Sequence, residues 1–122
     1  MQSVRSRDTG PEMAVRSLLH KLGYRFRLHR KDLPGTPDIV FPSKRKIIFV
    51  HGCFWHGHEC KKGKLPKSRT DFWLGKVTRN RERDVDVISK LHELGWITLT
   101  VWQCELRDME TLTEKLVDFL RP

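Results

Sequence analysis

From Asp38 to His51 the chain reads DIVFPSKRKIIFVH, two short apolar runs joined by the turn cluster PSKR. Such runs, bounded by Pro, Ser and charged residues, suit two neighbouring strands. Adjacent strands can bring Asp38 and His51 to the same end of a sheet, setting a carboxylate, imidazoles and a backbone carbonyl around one point. That grouping suits phosphodiester hydrolysis, which needs a cation to neutralise charge and a base to prepare water. An oxygen ligand at the Pro37-Asp38 step suits a hard cation such as Mg²⁺. Taken alone, the dipeptide reads better as a turn aspartate that satisfies its own backbone, and the strand that follows is what supports the ligand.

The flanking sequence builds the rest of one α/β domain spanning residues 1–122. Thr9 or Gly10 can cap a first helix with Pro11 at its first position, Gly23 ends it, and Ala14, Leu18 and Leu22 recur at fourfold spacing. YRFRLH alternates, putting Tyr24, Phe26 and Leu28 on one face of a strand and Arg25, Arg27 and His29 on the other. From His51 to Leu74 no period is visible, and the stretch reads as a long loop that needs something to order it. A second helix is expected from about Lys76 to Leu94, with Val77, Val85, Ile88, Leu91 and Leu94 apolar, Arg79, Arg81 and Arg83 on a basic surface, and Gly95 as its stop. WITLTVW is a further strand, and Asp108 caps a last helix through Leu112, Leu116 and Phe119. The order is helix, three strands, helix, strand, helix: a sheet with helices packed on it.

Lys and Arg number 24 against 15 acids, a formal charge of +9 on 122 residues. That excess favours a polyanionic partner, nucleic acid or an anionic membrane surface. No run reaches the roughly 18 to 20 apolar residues of a membrane span, and MQSVRSRDTG lacks a signal peptide's apolar segment, so a cytoplasmic protein is expected. The three cysteines, Cys53, Cys60 and Cys104, cannot all pair within one chain and suit metal or free thiols in a reducing compartment.

Residues 50–60 read VHGCFWHGHEC, with three histidines, two cysteines and two adjacent aromatics. Cys53, Cys60, one of the histidines and Cys104 can make a Cys₃His zinc set that staples the long loop to the sheet. Spacing does not choose which of His51, His56 and His58 is the ligand. The imidazoles left over are candidates for acid, base or phosphate contact. Phe54, Trp55 and Trp73 stand among glycines and cations instead of in an apolar period, as wedges that deform DNA do; covering the zinc or filling the core is the other reading.

These segments resemble the very short patch repair endonucleases, bacterial enzymes that nick DNA at T·G mismatches arising from deamination of 5-methylcytosine. The resemblance runs from RSRDTGPEMAVRSLLHKLGYRFRLH through LPGTPDIVFPSKRKIIFVHGCFWHGHEC and FWLGKVTRNRERD to WITLTVWQCEL, nearly the whole chain. It implies a restriction-endonuclease-like αβββαβ core with a structural zinc site, and a cut 5′ to the mispaired T. It makes Asp38 the Mg²⁺-binding carboxylate, with the main-chain carbonyl of Val50 as second ligand. His51 and His56 become catalytic imidazoles: His56 as general base oriented by Asp84, His51 against the phosphate. Glu12 matches an acid near the site. Cys53, His58, Cys60 and Cys104 would ligate Zn²⁺, and Phe54, Trp55 and Trp73 would intercalate beside the mismatch. The implied partner is double-stranded DNA carrying a T·G mismatch, bound by a monomer, with a mismatch-repair coordination protein as a further candidate. Where the wider restriction-like class has acid-x-Lys on the strand after Pro-Asp, this chain has Phe-Val-His, a change the repair family shares. Two other readings stand beside it: a restriction-type or structure-selective nuclease on the same scaffold, and a zinc-stabilised DNA-binding module without chemistry.

Overall fold

The computed structural model describes residues 10–52 and 70–121. They form helix α1 (Gly10–Lys21), strands β1 (Arg27–Leu28), β2 (Ile39–Phe41) and β3 (Lys46–His51), helix α2 (Thr70–Glu93), strand β4 (Ile97–Trp102), a 3₁₀ turn (Gln103–Arg107) and helix α3 (Met109–Leu120). The strands lie in the order β1-β2-β3-β4, antiparallel from β1 to β3 and parallel between β3 and β4. A parallel neighbour requires a crossover, and α2 lies on it. The expected succession of helix, three strands, helix, strand and helix is therefore present.

Side chains alternate across each strand, and this splits the interior into two cores. Ile39 and Phe41 of β2, Ile48 of β3 and Val101 of β4 meet Val15 and Leu19 of α1 and Leu112, Leu116 and Leu120 of α3. On the opposite face Val40, Ile47 and Phe49 meet Leu91 of α2 and Trp96. The sheet is thus the middle of three layers, with every residue of β2 buried.

Helix ends follow local chemistry. At the end of α1 the Gly23 N–H donates to the His20 carbonyl and the Tyr24 N–H to that of Leu19; Gly95 and Trp96 repeat the pattern on His92 and Leu91 at the end of α2. Each pair closes orphan carbonyls and folds an aromatic back onto the core. Asp108 caps α3, accepting from the Thr111 N–H at 3.1 Å and the Thr111 hydroxyl at 2.7 Å. Lys46 at the start of β3 donates to the Phe119 and Arg121 carbonyls at 2.5 and 2.9 Å, tying α3 to the sheet. In the turn before β2, Gly35 has φ +74° and a side chain there would meet Val87 of α2 at 2.5 Å, so only glycine lets this turn lie against the helix.

Four expectations need correction. The buried stripe of α1 is Glu12, Val15 and Leu19, one residue on from the spacing of Ala14, Leu18 and Leu22, which sit at its half-buried edge. YRFRLH pairs only at Arg27–Leu28, because β2 offers three residues to pair with; Tyr24 and Phe26 still pack on the larger core. Helix α2 begins at Thr70 instead of near Lys76 and carries Gly75 inside it. Val85 and Leu94 are 70% and 52% exposed, since α2 packs on the sheet through Leu91 with Val87 and Ile88 beside it. Among the described residues no helix is long and apolar enough to cross a membrane.

Candidate active site

The antiparallel register pairs Ile39 with Ile48, so the residue before β2 and the last residues of β3 reach the same end of the sheet. There the Val50 N–H donates to Asp38 Oδ2 at 3.0 Å. This bond fixes the carboxylate of a turn residue against the neighbouring strand, a stronger constraint than a turn aspartate bonded to its own backbone. It also shows Val50 engaging Asp38 through its amide.

Glu12 comes to the same place from the first turn of α1. It is 1% exposed, on a helix face where its neighbours are Val15 and Leu19. A carboxylate in such surroundings needs hydrogen bonds and cations in place of its hydration shell. His29 Nε2 donates to Glu12 Oε2 at 2.8 Å, and Arg16 Nη1 lies 3.4 Å from the same oxygen. The His29 N–H in turn donates to the Asp38 carbonyl at 3.2 Å. Glu12, His29 and Asp38 each bring a ligand atom within 4.8 Å of the others. Two carboxylate oxygens and an imidazole nitrogen, drawn from three segments onto one point, make a donor set that fits a divalent cation.

His51 ends β3 on the face towards α2. It is 8% exposed, its ring lies 5.4 Å from that of Trp102 and 5.7 Å from that of Phe49, and its Nδ1 is 3.8 Å from Asp84 Oδ2 on α2. The expected helix residue Asp84 is thus on the inward side of α2, and His51 is its neighbour there. The in-register pair His51↔Trp102 sets this wall. Directly beyond it, the 3₁₀ turn carrying half-buried Cys104 is held by Glu105, which accepts from the Trp102 N–H at 2.8 Å and from Lys115 at 2.7 Å.

Along α2, Lys76, Arg79, Asn80 and Arg83 follow helical spacing and line an open concavity of ≈ 240 Å³. Asn80 stands one turn before Asp84, so this basic stripe borders the helix edge that faces His51. Arg79, Arg81 and Arg83 are exposed, as expected of a basic surface.

Of the residues singled out in the sequence, the structure brings Glu12, Asp38, Val50, His51 and Asp84 to one end of the sheet and puts Cys104 beyond β4. Cys53, Phe54, Trp55, His56, His58 and Cys60 lie outside the described residues, as does the Trp73 side chain. Sequence reasoning misses His29. It reads as one more polar residue on a strand face, but its φ of +47° leaves the strand geometry after Leu28. Histidine tolerates the left-handed region better than most residues, yet nothing in the local pattern links it to Glu12.

Three relationships bear on this geometry. The family model described as DNA mismatch endonuclease Vsr matches residues 1–62. The chain is 62% identical over 122 residues to the Type II nicking enzyme V.XorIIP of Xanthomonas oryzae pv. oryzae (strain KACC10331 / KXO85), spanning 100% of this chain and 90% of the relative. It is 49% identical over 115 residues to the DNA mismatch endonuclease Vsr of Escherichia coli (strain K12), covering 94% of this chain and 74% of the relative.

Proposed function

Because the chain belongs to the Vsr family of DNA mismatch endonucleases and is a DNA endonuclease, a hydrolase, we propose that it recognises T·G mismatches and nicks the strand 5′ to the mispaired T in a Mg²⁺-dependent reaction. The observation that carries this reading is that Asp38 beside Glu12, and His51 beside Asp84, lie at the same end of the sheet next to a basic helix.

Asp38 and the main-chain carbonyl of Val50 would hold Mg²⁺, whose charge offsets that developing on the phosphate and the leaving oxygen. His56 takes a proton from the attacking water. The water oxygen bonds to phosphorus, the bond from phosphorus to the 3′-oxygen breaks, and the products are a 3′-hydroxyl and a 5′-phosphate on the T. His51 meets the phosphate, with Asp84 beside its Nδ1 fixing the ring so that Nε2 faces the substrate. In the same reading Asp84 also orients His56. Lys76, Arg79 and Arg83 take neighbouring phosphates, a role that suits the open concavity they line.

Cys53, His58, Cys60 and Cys104 would ligate a structural Zn²⁺, giving the segment after β3 a fixed anchor beside β4. Phe54, Trp55 and Trp73 then wedge beside the mismatch, which a T·G pair resists less than a matched pair does. The enzyme acts on DNA in the cytoplasm as a monomer, with a repair-coordination protein as a further partner.

The test is a nicking assay on one duplex carrying T·G or T·A at a single position, with and without Mg²⁺. Nicking confined to the T·G duplex with Mg²⁺ supports the reading. Equal cutting of both duplexes favours a restriction-type nuclease, and salt-sensitive binding without any cut favours a DNA-binding module. Asp38→Ala should abolish nicking, by about a thousandfold or more, with an unchanged circular dichroism spectrum.

A further inference from the structure

His29 has no role in the reading above, although it touches both acids of the site. Its side chain donates to Glu12 at 2.8 Å and its backbone N–H to the Asp38 carbonyl at 3.2 Å. The histidine and glutamate side chains are 12% and 2% exposed, so the contact is almost dry. The backbone at His29 takes φ +47°, an uncommon conformation for a non-glycine residue and one that occurs at functional positions. A surface imidazole on a strand needs none of this.

The distances suit coordination as well as hydrogen bonding. An octahedral cation with ligands about 2.1 Å away has neighbouring ligand atoms about 3 Å apart and opposite ones about 4.2 Å apart. His29 Nε2 and Glu12 Oε2 stand at 2.8 Å, close to the neighbouring spacing, and the Asp38 atom lies within 4.8 Å of both, so closing all three onto one ion asks for an inward shift of at most about half an ångström. We propose that His29 is a direct metal ligand, completing with Glu12 and Asp38 a site that holds Mn²⁺ more tightly than Mg²⁺. The inference rests on Asp38 being a metal-binding carboxylate.

The preference follows from ligand type. Mg²⁺ favours oxygen donors and gives up its water reluctantly, whereas a transition-metal ion accepts imidazole nitrogen alongside carboxylates. Ligation uses the neutral ring with its proton on Nδ1, freeing the Nε2 lone pair. Glu12, released from its hydrogen bond to Nε2–H, turns the same oxygen to the ion. Arg16, 3.4 Å from that oxygen in the structure, stays on hand to orient the carboxylate.

The experiment titrates MnCl₂ and MgCl₂ separately into DNA-free full-length protein, followed by calorimetry, for the native chain, His29→Gln and Asp38→Ala. Glutamine at position 29 can still donate to Glu12 but offers an oxygen in place of nitrogen, so it separates ligation from support. The native chain should bind Mn²⁺ about tenfold tighter than Mg²⁺. In His29→Gln the Mn²⁺ affinity should fall about tenfold with Mg²⁺ affinity little changed. Spin-echo modulation of bound Mn²⁺ should show an imidazole nitrogen in the native protein and none in His29→Gln. An unchanged Mn²⁺ affinity, an equal loss for both ions, or a surviving nitrogen signal in His29→Gln overturns the proposal. Asp38→Ala should lose both ions. If it keeps both while melting normally, the assignment of Asp38 itself has failed, an outcome distinct from the failure of His29 alone.

Discussion

On one side of the sheet, α1 and α3 close over nine buried apolar residues; on the other, among the described residues, α2 and its exit close over five. The first side is a frame held along two helices and by Lys46 clamped on the end of α3. The second side is covered by one long helix, which touches the sheet through a narrow stripe and turns its arginines and Val85 to solvent. The candidate site uses both. Glu12 comes from the frame, while Asp84 comes from the charged helix. Rigidity is therefore concentrated where the acids must be held, and charge where a polyanion would approach.

Core truncation should separate the two sides most clearly. Leu116→Ala in the frame is expected to cost about 4 kcal/mol, and Leu91→Ala under α2 about 2, because a helix held at few points can settle into the space left. Urea unfolding of both variants measures the gap, and equal losses would erase the distinction.

Glu12 is the exception inside the frame, a carboxylate where the packing calls for leucine. Glu12→Leu should lower stability by no more than about 1–3 kcal/mol, since the apolar side chain fills the site while His29 and Arg16 lose their acceptor. Nicking should drop about a hundredfold in the same variant. A large fall in melting temperature would show that the acid serves the fold and not the site.

On the helix side, Arg79→Gln with Arg83→Gln should change stability by less than about 0.5 kcal/mol. DNA binding should weaken, and the slope of log affinity against log salt should flatten by about 0.9 for each phosphate that the stripe no longer neutralises. An unaltered slope removes this stripe from the DNA interface.

The smallest effect belongs to the frame's outer edge. Hydrogen bonds from the Thr111 side chain and backbone hold the Asp108 carboxyl below its ordinary value. A depressed folded value means that the cap's contribution is complete above the ordinary value of about 4 and is lost as pH falls through the folded one. Asp108→Asn should therefore lower the melting temperature slightly at neutral pH, and the difference from the native chain should shrink in acid.

What can be read from the sequence is local. Gly23, Gly95 and Asp108 announce helix ends because their bonds close within a few residues. DIVF and KIIFV announce adjacent strands for the same reason, and with them the approach of Asp38 to His51. The start of α2 is hidden because a glycine inside a helix looks like its boundary. The stripe of α1 reads one residue off because the sequence shows spacing, while docking decides which edge is covered. His29 is beyond reach: its role depends on a left-handed backbone and on where α1 lies, both consequences of tertiary packing.

The parallel pairing of β3 with β4 has a consequence in time. Lys46 to His51 line up with Ile97 to Trp102, so strands that touch are separated in the chain by all of α2. During synthesis Glu12, Asp38 and His51 leave the ribosome well before Trp102, and the surface on which His51 rests is the last part of the sheet to arrive. A half-made chain carries the acids but not the wall that seats the imidazole. The candidate site is complete only when the sheet is.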